Sequence, residues 1–289
     1  MRILIPLLGL LGLTLLSCQK ESDFANTNNS GGGGSGGNNS SDLLVRMVQK
    51  VGSDSVVSVY GYNANKKLIL LKKSGIDEQG DPVNSEYHFH RNAAGIITDY
   101  SLIDPDLIAF GIDSVTTIVH YNSSTSRYTS YVLNINIPGY VLLDSSVFVY
   151  DGSGRIIGEK FYESLSGLGN DYFLSGTLNY TYSAGGNVSR LDIHDLDQSG
   201  AEIFTATSII TYDSKTNPLQ LGNEGLLLEH PEWASVNNIT KAQASDSGGP
   251  ADDQTVSVTY TYNSGNKPTT SVSTLVPDNI TINTAFYYQ

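Results

Sequence analysis

Few side chains in this sequence have the type and spacing that chemistry requires. His88 and His90 stand two apart, which on a strand places both imidazoles on one face, and His120 holds a comparable place one segment later. If two neighbouring strands converged them, three nitrogen ligands would suit zinc. Tyr87 and Phe89 alternate with the histidines, which puts the imidazoles on the solvated face instead. Asp195-Leu196-Asp197-Gln198-Ser199-Gly200 reads like the opening of a calcium loop, with Asp195, Asp197 and Ser199 as oxygen ligands and a glycine at the bend. The bidentate glutamate such a loop needs is replaced by Ala206, so the same residues also read as a polar turn between strands at 188–194 and 201–211. Calcium is therefore a possible ligand, and no other cofactor is expected. The pairs Glu159/Glu163 and Asp104/Asp106 could serve a two-carboxylate hydrolase. No nucleophile elbow, phosphate loop, zinc-protease helix or Cys–His pair occurs. Trp233, Tyr162, Tyr172, Tyr287 and Tyr288 fall outside the repeated pattern described below. They are the candidates for exposed contacts, such as stacking on sugar rings.

Cys18 is the one cysteine in 289 residues, so it has no intrachain partner. Before it lie Arg2 and a short apolar run ending Leu15-Leu16-Ser17, which has the form of a signal peptide rather than a membrane span. The end of that run resembles the lipobox of bacterial lipoproteins, which implies cleavage after residue 17 and lipidation of Cys18. Gln19-Lys20-Glu21-Ser22-Asp23 is similar to the short acidic export signal of Bacteroidota surface lipoproteins. It implies an outer-membrane lipoprotein displayed at the cell surface, with a periplasm-facing protein as the alternative. Residues 18–41 are then the lipidated cysteine and a tether rich in Gly, Ser and Asn, a composition unable to bury enough apolar surface to fold. Asp54-Ser55-Val56 and Asp113-Ser114-Val115 resemble the O-glycosylation triplet of exported Bacteroidota proteins.

The formal net charge is −13, which excludes nucleic acid and anionic lipid as electrostatic partners. The membrane is expected to hold the chain only through the lipid. Glycan or another envelope protein remains as a partner.

Residues 42–289 read as a single all-β domain. One phrase recurs about every 30 residues over part of the chain: an alternating strand, an aromatic residue, Asp or Asn, and a turn. It appears at Tyr60-Gly61-Tyr62-Asn63, Tyr87-His88-Phe89-His90, Val119-His120-Tyr121-Asn122, Phe148-Val149-Tyr150-Asp151, Tyr180-Thr181-Tyr182-Ser183, Ile210-Thr211-Tyr212-Asp213 and Tyr260-Thr261-Tyr262-Asn263. Apolar residues alternate within each segment, so one face is buried, and the turn residues tolerate reversal. These features predict an antiparallel meander of about seven hairpins in one elongated, twisted or half-wrapped sheet. A short helical segment near 223–236, where alternation lapses, would cover one end. The repeat tyrosines are expected to pack the core.

Phe148-Val149-Tyr150-Asp151-Gly152-Ser153-Gly154 resembles the tyrosine-aspartate repeats of bacterial surface proteins and the Rhs family. Tyr212 to Leu219, with Asn237 to Lys241 and Tyr260 to Asn263, is similar to uncharacterised Bacteroidota lipoproteins carrying a domain of unknown function. The resemblance implies architecture and transfers no catalytic residue. The functional expectation is a non-enzymatic binding or scaffold module at the cell envelope. The alternative is a hydrolase of extracellular glycan or a glycan-capture accessory protein.

Overall fold

The computed structural model describes residues 43–289 except 78–79, 110, 113, 138–139, 166–171, 229 and 249–252. Cys18, the signal segment and the tether lie outside the described residues. Sixteen strands follow one another: β1 Leu44–Val51, β2 Asp54–Tyr62, β3 Leu68–Ile76, β4 Pro82–Arg91, β5 Ile97–Ile103, β6 Val115–Asn122, β7 Arg127–Ile137, β8 Tyr140–Tyr150, β9 Ile156–Leu165, β10 Phe173–Tyr182, β11 Val188–Leu196, β12 Glu202–Thr216, β13 Asn237–Asp246, β14 Gln254–Tyr262, β15 Pro268–Val276 and β16 Ile280–Tyr288. Among the described residues three short helices interrupt them: α1 Pro105–Ala109, α2 Asn223–Leu227 and α3 Pro231–Ala234.

Each strand pairs antiparallel with the next, and β1 pairs with β16 through Met47 opposite Phe286 and Gln49 opposite Thr284. The sheet is a closed barrel. This overturns the expected open or half-wrapped sheet of seven hairpins. The physical reason is the edge: β1 lies outside the repeated phrase, yet it supplies the ladder hydrogen bonds that β16 would otherwise expose.

The turns explain the repeated phrase. In four of them the Asp or Asn side chain accepts the amides of the reversal. Asn63 Oδ1 takes Asn65 and Lys67, Asn92 Oδ1 takes Ala94 and Ile96, Asp151 Oδ1 takes Ser153 and Arg155, and Asn263 Oδ1 takes Gly265 and Lys267. All four lie at one end of the barrel. The inward residue just before the turn then donates to a carbonyl at the start of a preceding strand. Tyr62 reaches Leu44 at 2.9 Å, Tyr182 reaches Ile156 at 2.8 Å, Tyr212 reaches Val188 at 2.7 Å and Tyr288 reaches Pro268 at 2.8 Å, and Tyr150 bonds Tyr128 in the same way. In the second unit Arg91, not an aromatic, holds this place and donates Nε to the Leu68 carbonyl at 3.1 Å. The phrase there is therefore Phe89-His90-Arg91-Asn92, two residues beyond Tyr87-His88.

Apolar residues face inward. One cluster joins Ile97, Val119, Tyr131, Phe148, Ile156, Tyr180 and Leu191, and a second joins Leu44, Met47, Tyr60, Leu71, Phe89 and Phe286. The link between β12 and β13 folds between these two walls: Leu226 and Leu227 belong to the first cluster, while Leu219, Leu221 and Trp233 belong to the second. It forms a plug carrying α2 and α3. A barrel of this strand number can enclose an aqueous channel. Here the plug occupies the turn end and buried side chains fill the space beneath it.

Candidate functional site

The plug concentrates the charged groups that the repeated phrase does not account for. α2 and α3 are short, and what holds them in place is packing and charge. Gly225 lies so close to α3 that a Cβ there would meet the Trp233 carbonyl carbon at 2.6 Å and the Ala234 nitrogen at 2.7 Å. Asn217 Nδ2 donates to the carbonyls of Glu232 and Ser235, tying the ends of the plug together.

Arg91, the residue that replaces tyrosine in the turn ladder, extends its guanidinium into the plug. Nη1 and Nη2 meet the two oxygens of Glu224 at 2.9 and 2.8 Å, and Nη1 also donates to the Gly95 carbonyl at 2.7 Å. The side chains are 4% and 12% exposed, so this is a bidentate pair largely out of water. Tyr128 donates to Glu224 Oε1 at 2.8 Å and accepts the Ile97 amide. Burial, with the nearby Glu224 charge, holds the Tyr128 hydroxyl well above the usual phenol range. The network ties β4, β7 and α2 into one unit.

Just before α3, His230 stacks on Trp233 with ring centroids 3.8 Å apart, and its Nδ1 lies 2.9 Å from Glu232 Oε1. Glu232 is buried, and its charge acts on Lys73, an inward residue of β3. Burial lowers the Lys73 pKa, and Glu232 opposes that shift. A third buried set joins Glu159 to Ser146 and, at 3.5 Å, to Tyr180.

The residues singled out in the sequence occupy other places. His88 and His90 lie on the outer face of β4, where His88 meets Glu86 at 2.7 Å and His90 pairs with Asp99. His120 is on the outer face of β6, with β5 lying between it and β4. The assumption that two neighbouring strands carry all three imidazoles is therefore incorrect, and among the described residues no group of three His, Cys, Asp or Glu side chains could hold a metal ion. Asp195 faces inward opposite Gly176 and Phe204, whereas Asp197 sits in the turn, where Oδ1 accepts the amides of Ser199 and Ala201 and the Ser199 hydroxyl. The three oxygen ligands are thus divided between barrel wall and turn. Glu159 is 1% exposed and bonded to Ser146, whereas Glu163, four residues along the same strand, is exposed and in register with Asp144.

Trp233, expected to be exposed, is 2% exposed inside the barrel because the plug turns its apolar residues inward. Tyr288 is half-buried and belongs to the turn ladder. Tyr172 and Tyr287 are 47% and 46% exposed, with Arg46 lying over the Tyr287 ring, and Tyr162 is on the outer face of β9. Sequence reasoning missed Arg91, Glu224, Glu232 and Lys73. Aligning the repeats on the turn Asn rather than on the aromatic would have exposed Arg91 as the odd residue.

The outer face is largely polar, with exposed apolar residues on several strands. Thr255, Ser257, Thr259 and Thr261 line β14, and ion pairs such as Lys72–Glu86 at 3.0 Å and Arg190–Asp192 at 2.6 Å lie along the strands. Exposed apolar residues such as Ile118, Val147 and Val272 are interspersed among them. A barrel that crosses a membrane shows the reverse alternation, apolar outward and polar inward.

No family model matches the chain, and no curated protein matches it. Among solved structures it is similar to a porin-like protein from Bacteroides uniformis, with 11% identity and a TM-score of 0.52 over 85% of this chain and 98% of that one. It is also similar to a porin-like protein from Bacteroides vulgatus, with 10% identity and a TM-score of 0.54 over 86% and 99%. At this identity the likeness establishes a shared fold: a closed antiparallel β-barrel.

Proposed function

We propose that this chain is an outer-membrane lipoprotein, anchored through Cys18, that works as a non-enzymatic binding or scaffold module through the outer face and turns of its barrel. The observation that carries the reading is the direction of alternation. The apolar clusters lie inside, and the exterior mixes Ser, Thr and charged residues with scattered apolar ones, which is not the apolar-out, polar-in alternation of a membrane-spanning wall. Membrane attachment then falls to the lipid, which the Leu15-Leu16-Ser17-Cys18 sequence is suited to receive. The Bacteroides porin-like structures, which share the fold, support an outer-membrane setting. The filled, plugged interior argues against a pore. Glycan or an envelope protein is the proposed partner class.

Membrane fractionation of the full chain and of Cys18→Ala tests the anchor. The unsubstituted chain should sediment with outer membranes and incorporate labelled palmitate, and the variant should be released as a folded barrel into the aqueous fraction. A variant that stays integrated in carbonate-washed membranes, or conducts ions across a planar bilayer, would overturn the reading. A glycan array and an envelope pull-down test the binding role, and no ligand in either would remove its support.

A further inference from the structure

The charged side chains of the barrel divide by end. The connections opposite the plug hold Asp77, Asp81, Asp104, Asp197, Asp253 and Asp278, and no lysine or arginine occurs in any of them. The turn end is the reverse. Lys66 and Lys67 follow Tyr62, Lys267 closes the reversal that begins at Asn263, and Lys215 donates to Asn266 of that same reversal at 2.8 Å. Among the described residues the acids at this end are already engaged: Asp151 with Arg155, Glu224 with Arg91, Asp213 with Tyr262 and Asn238, and the buried Glu232 with His230.

These bases surround the place where the chain enters the barrel. Leu43 and Gln289 exchange backbone hydrogen bonds of 3.2 and 2.9 Å at the turn end. On one side of them Lys267 Nζ lies 5.5 Å from the centre of the Tyr288 ring. On the other, Tyr62 donates to the Leu44 carbonyl and leads directly into Lys66 and Lys67. On the outer wall alongside, Arg46 lies over the half-exposed ring of Tyr287. Aromatic faces and a neutral amide leave each of these charges in place. Cations beside an amphipathic ring suit the headgroup layer of a membrane.

The net charge of −13 hides this division. Strands such as β2, of 9 residues and tilted as in a barrel, set the two ends roughly 20–25 Å apart. The Debye length at physiological salt is about 8 Å, so the acidic end is screened from any surface that touches the turn end.

We propose that the turn end is a docking surface for the phosphate-bearing headgroups of an anionic phospholipid membrane, with Lys66, Lys67, Lys215, Lys267 and Arg46 as the contacting cations and Tyr287 at headgroup level. The barrel then stands on its plug and turns the acidic end away. This rests on the reading that Cys18 holds the chain at a membrane, because the segment from Cys18 joins the barrel at this same end. The lipid supplies attachment and the rim supplies orientation, each basic residue favouring the docked orientation by about fivefold. The exclusion of anionic lipid that net charge implies holds for the opposite end alone.

Lysine footprinting tests the orientation: the purified full chain is acetylated on vesicles of phosphatidylcholine, with or without about one third phosphatidylglycerol, and each lysine is read by mass spectrometry. Phosphatidylglycerol should protect Lys66, Lys67 and Lys267 at least fivefold relative to phosphatidylcholine alone, while Lys50 near the acidic end and Lys160 on the wall stay reactive. Protection should vanish at about 0.5 M sodium chloride, where the Debye length is roughly 4 Å. Equal labelling on both vesicle types, equal protection of Lys50 and Lys160, or protection that survives salt would overturn the proposal. In a Cys18→Ala background, Lys66→Glu with Lys267→Glu should lower co-sedimentation with phosphatidylglycerol vesicles at least tenfold, and Lys50→Glu with Lys160→Glu should not. Failure of the unsubstituted chain to sediment with pure phosphatidylcholine would remove the lipid anchor but leave the footprint on phosphatidylglycerol to decide the rim. Should the rim variant fail to fold, the footprint of the unsubstituted chain decides by itself.

Discussion

Arg91 shows how one residue converts a repeat position into a lock. The tyrosines of the ladder each reach a carbonyl through a single hydroxyl. The guanidinium reaches the same carbonyl through Nε and still has donors for Glu224 and Gly95. Because the pair is almost fully removed from water, losing one partner strands the other. Glu224→Ala should therefore cost about 3–5 kcal/mol in urea unfolding. Arg91→Met combined with Glu224→Leu should cost less than the sum of the single changes, the signature of direct coupling. An additive double variant would mean the pair contributes no specific interaction.

The tyrosines carry a pH consequence at the same scale. Burial pushes Tyr182 from 10.0 to about 12 and drives Tyr128, Tyr150, Tyr212 and Tyr260 higher still. A phenol whose folded pKa exceeds its unfolded value contributes stability that is complete below pH 10 and is lost as pH rises through the folded value. Unfolding should thus set in above pH 10. Ionisation of these buried phenols, followed by tyrosinate absorbance, should coincide with loss of near-ultraviolet circular dichroism. Titration of all 18 tyrosines in a barrel that keeps its dichroism would contradict this.

At the scale of elements, α2 and α3 exist because packing places them, since helices of 5 and 4 residues have little intrinsic stability. Gly225 makes the point measurable. Helix propensity alone would make Gly225→Ala favourable by about 1 kcal/mol. The added Cβ would sit 2.6 Å from the Trp233 carbonyl carbon, so strain should prevail and the variant should lose about 1–3 kcal/mol. Equilibrium unfolding followed by Trp233 fluorescence reads this directly, and a stabilised variant would show that α2 can withdraw from α3.

The whole molecule depends on closure. β16 shares ladders with both β15 and β1, so removing it would leave two exposed edges. Deleting residues 280–289 should give a chain that scatters light at micromolar concentration and is cut by protease within the sheet. A monomeric, protease-resistant product would mean that β1 and β15 can pair without it. Closure also gives the alternation its meaning, because in a closed barrel the two faces of every strand become interior and exterior. Here apolar clusters line the interior together with buried polar side chains such as Glu159 and Ser146.

The sequence by itself determined the local chemistry: strand alternation, the Asp and Asn turns, and the burial of the repeat tyrosines all follow from side chains and near neighbours. The lapse of alternation at 223–236 marked the helical segment for the same reason. Closure was decided only in three dimensions, because Met47 and Phe286 lie at opposite ends of the chain and neither strand carries a signal naming the other. The same holds for the buried ion pair, since Arg91 and Glu224 are 133 residues apart. Alternation specifies which face is buried, whereas partners across a barrel are fixed by register and closure, which no local pattern encodes.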